Sequence, residues 1–212
     1  MHQKNIIAAG KDLKEASKVL IMVHGRGGSA EDIISLAQHL QVADYALLAP
    51  QATGNTWYPY SFLAPTAQNE PWLSSALNLL AEMVSDLESK GFKREQIYFL
   101  GFSQGACLTL EFVTRHAAKY GGVVAFTGGL IGDKINRDNY KGDYGNTPVF
   151  MGTSNPDPHI PVERFYATSN ILKEMNAVVL EKVYEGMGHT INHDEIDNAN
   201  SHVFNTSTIQ SL

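Results

Sequence analysis

Gly101-Phe102-Ser103-Gln104-Gly105, entered directly from the apolar run Ile97-Tyr98-Phe99-Leu100 and left directly into a helical pattern, decides how this chain is read. The segment matches G-x-S-x-G, and strand, tight turn and helix are the setting in which that motif carries chemistry. So sharp a turn holds its middle residue in a strained backbone and lifts the hydroxyl clear of the sheet. Gly101 and Gly105 leave the neighbouring main chain room to pass. The following helix turns its free N–H groups toward negative charge developing at that point. Ser103 is therefore the candidate nucleophile, set against the plain alternative of an idle serine in a glycine-flanked turn.

Outward from this turn, β-branched and aliphatic runs at 19–23, 45–49, 97–100, 123–126, 149–151 and 178–184 alternate with helical patterns at 30–40, 71–90, 104–119, 162–175 and 191–203. Unbroken apolar runs suit strands buried on both faces, and their alternation with helices predicts βαβ units. The fold class is thus α/β, a mostly parallel, doubly wound sheet with helices on both faces. The 71–90 helix is the clearest: Asn69 is its expected cap, Pro71 fits its first turn, and Leu73, Leu77, Leu80, Val84 and Leu87 form its apolar stripe. Gly91 stops it. No repeat or linker divides the chain, so one domain over 1–212 is expected. Two long connections, 51–70 and 128–147, follow strands directly and emerge at the carboxyl edge of the sheet, where open α/β sheets bind ligands. Neither is long enough to make a large cap.

Charge and composition narrow the function. The 212 residues carry 16 Lys+Arg against 22 Asp+Glu, a net charge of -6, which disfavours nucleic acid and anionic membrane as partners. No stretch approaches the roughly 18 apolar residues of a membrane span. The single Cys107 excludes an internal disulfide, and the start Met1-His2-Gln3-Lys4-Asn5 lacks an apolar leader, so a cytoplasmic location is expected.

A serine nucleophile needs a base. Among eight histidines, His189 lies just past the last strand in Gly186-Met187-Gly188-His189, where glycines let a loop arch over the sheet edge. His193 is the rival, four residues on and inside the last helix. His2, His39, His116 and His202 fall in the tail or on helices, and His24 reads as a buttress for the glycine turn after it. The acid of a Ser-acid-His order belongs between Ser103 and His189. Asp157 follows the strand 149–151 in the turn Asn155-Pro156-Asp157-Pro158, and Asp133, after the preceding strand, is the runner-up.

The turn His24-Gly25-Arg26-Gly27-Gly28-Ser29 matches neither phosphate-loop pattern. It suits an oxyanion hole made from the main-chain N–H groups of Arg26 and Gln104, whereas the Arg26 side chain is left open between solvent and an acidic substrate. In the loop after the second strand, Trp57 and Tyr58 head an aromatic cluster that either packs down as a satellite core or walls a substrate pocket. No third ligand accompanies His189 and His193, so no metal is expected, and Cys107 reads as a small buried residue.

Together, His24-Gly25-Arg26-Gly27-Gly28, Gly101-Phe102-Ser103-Gln104-Gly105, the Asp157-Pro158 turn and Gly188-His189 resemble the phospholipase/carboxylesterase branch of serine α/β-hydrolases, over about residues 19–191. That branch also contains acyl-protein thioesterases. The resemblance implies an α/β-hydrolase fold with little or no cap, no cofactor, a triad of Ser103, Asp157 and His189, and oxyanion amides from Arg26 and Gln104. Arg26 and the Gly27-Gly28-Ser29 tract depart from the aliphatic residue and Gly-Asp common in thioesterase members. Dienelactone-type hydrolases are related by fold but use cysteine where this elbow has serine. The expected function is hydrolysis of short to medium acyl esters through an acyl-enzyme. An acyl thioesterase or lysophospholipase is the alternative, and a non-catalytic binding module is the reading from another class. The expected partner is a small-molecule ester, with a homodimer as the open option for assembly.

Overall fold

The computed structural model describes residues 1–204; residues 205–212, the end of the expected domain, lie outside the described residues. Among the described residues, strands β1 (Ile6–Gly10), β2 (Lys18–Val23), β3 (Tyr45–Pro50), β4 (Ile97–Phe102), β5 (Gly122–Phe126), β6 (Pro148–Asn155) and β7 (Val178–Glu185) form one sheet. Their order is β1-β3-β2-β4-β5-β6-β7, and only β1 is antiparallel to its neighbour. Helices α1 (Ala30–Ser35), α2 (Trp72–Ser89), α3 (Gln104–Arg115), α4 (Val162–Glu174) and α5 (His193–Ala199) cover it.

The unbroken apolar strands have the cause expected of them. On β2, Val19, Ile21 and Val23 pack with Leu80 of α2, Phe112 of α3 and Phe165 of α4, whereas Leu20 and Met22 pack with Ile33 of α1 and Ile196 of α5. Both faces of the strand are buried, so no position has a reason to be polar.

Several boundaries differ from expectation for local reasons. Strand β1 was not anticipated: Ile-Ile-Ala-Ala-Gly at a half-exposed sheet edge gives neither a long apolar run nor strict alternation. Helix α1 ends at Ser35 and continues as a tight 3₁₀ turn over Leu36–His39, and α3 ends at Arg115 instead of 119. Asn69 does not cap α2. It is fully buried, its side chain accepting from the Tyr60 N–H and donating to the Ser61 carbonyl, and the Glu70 carboxylate instead accepts from the Ser74 N–H at 3.0 Å.

The sheet order positions the site. From β2 the chain moves outward to β3 and then returns to β4 on the other side of β2, so the winding reverses between β2 and β4. A crevice opens at the carboxyl ends of two such strands. Val23 pairs in register with Gly101, which brings the turn after β2 beside the turn after β4.

Candidate active site

Ser103 occupies the turn between β4 and α3 at φ 54 and ψ -120, a region that costs a non-glycine residue about 1–3 kcal/mol and is held only by strong surroundings. The surroundings are close main-chain contacts. A Cβ on Gly105 would overlap the Val23 carbonyl oxygen and one on Gly101 would overlap the Gly105 carbonyl, so only glycine lets α3 cross this near to β2 and β4. The Ser103 N–H is fixed to the Phe126 carbonyl of β5 at 2.9 Å.

His189 reaches this serine from the loop between β7 and α5. Its Nε2 lies 2.7 Å from Ser103 Oγ and its Nδ1 lies 2.9 Å from Asp157 Oδ2. The two loops that carry base and acid are tied to each other: the Gly188 N–H donates to Ser154 Oγ, and the Gly186 N–H to the Asn155 carbonyl. Phe102 packs against the imidazole with ring centroids 5.4 Å apart. With Asp157 ionised, Nδ1 carries the proton and Nε2 is free to accept from the serine hydroxyl.

The Asp157 side chain is wholly shielded from solvent. That burial by itself would raise its pKa, but hydrogen bonds from His189 and from the main-chain N–H groups of His159 and Ile160, both 2.8 Å from Oδ1, outweigh it and hold the carboxyl below the usual aspartate value. Asp133, the runner-up, is exposed and lies outside this chain of bonds; its carbonyl accepts from Arg164. Arg164 also binds the Leu130 and Gly132 carbonyls, and buried Glu111 accepts from the Ile131 N–H and the Tyr140 hydroxyl. The long 128–147 connection is thereby pinned down onto α3 and α4. His193 sits exposed at the start of α5.

The main-chain N–H groups of Arg26 and Gln104 donate to no acceptor among the described residues, and both residues border the cleft at Ser103. Their side chains hold the aromatic loop. Gln104 Oε1 accepts from the Trp57 N–H and the Thr56 hydroxyl while its Nε2 donates to the Tyr58 carbonyl. The Arg26 guanidinium donates to the carbonyls of Tyr58, Pro59 and Tyr60, so the side chain lies along the aromatic loop. His24 is the buttress it was expected to be: fully buried, it donates from Nδ1 to the Gly25 carbonyl and accepts at Nε2 from the Ala52 N–H. Burial lowers its pKa, keeping the ring neutral. His2 is no loose tail; it accepts from the Thr53 N–H and packs its ring against Trp57 and Trp72.

The cleft over Ser103 has a volume of about 570 Å³. Its walls correct one expectation. Trp57 is 0% exposed, part of the main core, and its indole N–H donates to the His24 carbonyl, so it supports the glycine turn from behind and does not line the cleft. Tyr58 borders the cleft although almost entirely buried, and the accessible apolar walls are Tyr60, Leu63 and Pro158 with Phe62 and Ile160 beneath. Aromatic clustering could not separate these two roles, because an indole with a main-chain acceptor is as stable inside as a pocket wall is outside. His159 went unremarked in the sequence, where a histidine two residues past an aspartate has no helical or metal spacing to flag it. It lines the cleft with its ring 4.8 Å from that of His189. Cys107 lies under the cleft floor, where burial pushes its thiol up to about 12 and leaves it without thiolate character at neutral pH. No metal-binding group of side chains occurs among the described residues, nor any helix long and apolar enough to cross a membrane.

The profile of a family described as Phospholipase/Carboxylesterase matches residues 2–207. Acyl-protein thioesterase 1 of Saccharomyces cerevisiae is 28% identical over 224 residues, covering 94% of this chain and 97% of its own. A probable carboxylesterase, SOBER1-like, of Arabidopsis thaliana is 25% identical over 198 residues, covering 85% of this chain and 76% of its own. The crystal structure of a phospholipase/carboxylesterase from Dyadobacter fermentans superposes with a TM-score of 0.95 at 55% identity, covering 96% of this chain and 97% of that one.

Proposed function

Because the chain belongs to the phospholipase/carboxylesterase family of hydrolases and carries the α/β-hydrolase fold, we propose that it is a serine carboxylesterase acting on short to medium acyl esters through an acyl-enzyme. The observation that supports this most is the continuous hydrogen-bonded chain from Ser103 Oγ through His189 to Asp157. In this reading Ser103 Oγ attacks the ester carbonyl carbon as His189 Nε2 takes its proton. The resulting oxyanion is held by the Arg26 and Gln104 N–H groups. On collapse the alcohol leaves with the proton from His189. Water then adds to the acyl-enzyme by the same route, releasing the acid and restoring Ser103. Asp157 stays ionised, orienting the imidazole and stabilising its protonated form.

Chain length follows from the cleft. Leu63, Tyr60 and Pro158 offer apolar wall for a few methylenes, each worth about 0.8 kcal/mol. Specificity constants for 4-nitrophenyl esters should rise from acetyl through the first few methylenes and then level or fall. A thioesterase or lysophospholipase is the second reading, favoured by the thioesterase relatives. The deciding experiment measures kcat/KM over graded acyl esters, acyl thioesters and lysolipids. A steady rise to palmitoyl substrates, or thioesters far outrunning matched oxygen esters, would overturn the short-chain carboxylesterase reading.

A further inference from the structure

We propose that the substrates of this cleft carry a carboxylate, received by the Arg26 guanidinium with the His159 ring, which lines the same cleft; the inference rests on the ester-hydrolase reading. The chain has 22 Asp+Glu against 16 Lys+Arg, yet no acidic residue lines the cleft. Two carboxylates lie close behind the lining, and both are shielded and paired: Asp157 with His189, and Glu111 with Arg115.

Arg26 supplies a full positive charge at that cleft. It pairs with no carboxylate among the described residues; its hydrogen bonds go to three neutral carbonyls, from Nη1 to Pro59 and from Nη2 to Tyr58 and Tyr60, at 2.8 to 3.0 Å. A guanidinium has five N–H donors, so Nε–H and the second Nη1–H are uncommitted on a side chain whose rotamer is fixed in advance. A group held this way loses little freedom when it meets an anion. The exposed His159 ring also lines the cleft, makes no hydrogen bond among the described residues and stands edge-on to His189. The remaining lining is largely apolar, which weakens screening of any charge placed between the two. A loop clamp alone requires donors for carbonyls, not a cleft cleared of acids.

The test uses two ester pairs, each a carboxylate and its methyl ester: 4-nitrophenyl hydrogen adipate, with the charge on the acyl side, and 4-acetoxybenzoate, with the charge on the alcohol side. Each kcat/KM is normalised to that compound's own alkaline hydrolysis rate. For at least one pair the charged member should be favoured by about tenfold or more, the worth of one hydrogen bond to a charged group. That ratio should shrink as salt is added. Arg26→Gln should bring it near one and Arg26→Lys should retain part of it, even where loosening the loop lowers both rates together. His159→Gln, at an exposed position, should lower the ratio with Arg26 intact, and an unchanged ratio there removes His159 from the proposal. If the neutral esters turn over with no preference for either charged partner, or the preference survives Arg26→Gln, the proposal is overturned and the esterase reading stands. If neither member of either pair is hydrolysed, both fall.

Discussion

Glu195→Gln is expected to remove a loss of stability that the protein otherwise suffers between about pH 4.5 and about pH 7. Glu195 closes the first turn of α5, its Oε2 accepting from the Asn192 N–H at 3.0 Å, while Asn192 in turn meets Met187 in the loop that carries His189. The side chain is fully buried, and Oε1 has no partner among the described residues, lying against the bare main chain of Gly152. Burial, with a smaller contribution from Asp194, pushes the carboxyl up to about 7 against the opposing pull of the Asn192 amide, whereas in the unfolded chain it titrates near 4.5. Between those values the native state keeps a proton that the unfolded state has lost, so stability falls as pH rises, by about 1.4 kcal/mol per unit and about 3 kcal/mol over the window. Below it both states are protonated, and above it both are ionised. Urea unfolding of both proteins from about pH 4 to about pH 8 isolates this group, because the other titrations cancel in the difference. The variant should gain about 3 kcal/mol on the parent across the window. A difference that stays flat, or that favours the parent as pH rises, would refute the reasoning.

Asp157→Asn should reduce turnover on the order of 10⁴ by presenting the wrong imidazole tautomer, while Asp133→Asn stays near wild type, and steady-state kinetics on one acetyl ester distinguishes them. Trp57→Ala should destabilise the fold by about 3–5 kcal/mol, read by urea unfolding, since it empties a core site and orphans the His24 carbonyl. Leu63→Ala, on the accessible wall, should instead flatten the dependence of kcat/KM on acyl length with little change in stability. Reversal of these two phenotypes would return Trp57 to the pocket.

How much of this was legible in the sequence depended on whether a signal was local. The strand-turn-helix around Ser103 was legible because its glycines, its apolar strand and its helix are contiguous, and the buried parallel strands because burial on two faces writes an unbroken apolar run. Ser103, Asp157 and His189 were each named from the strand end that precedes them, since parallel strands deliver their following loops to one edge. Asn69 failed as a cap because an asparagine before a helix looks the same whether its side chain turns to the helix or to the Tyr60–Ser61 main chain. The Arg26 clamp and the Trp57 support are contacts across 32 or more positions. No periodicity records such contacts. Strand β1 and His159 were missed for the opposite reason, being short-range features with too little pattern to notice.

The central claim is that Ser103 is the nucleophile and His189 its base. The most direct test is to treat the wild-type protein, Ser103→Ala and His189→Ala with a fluorophosphonate and follow labelling by intact mass and peptide mapping. The account predicts one adduct on the wild type, mapped to Ser103, none on Ser103→Ala, and labelling of folded His189→Ala slowed on the order of 10⁴ or more, as for members of one catalytic unit. An adduct on another residue, or His189→Ala labelling at the wild-type rate, would contradict it.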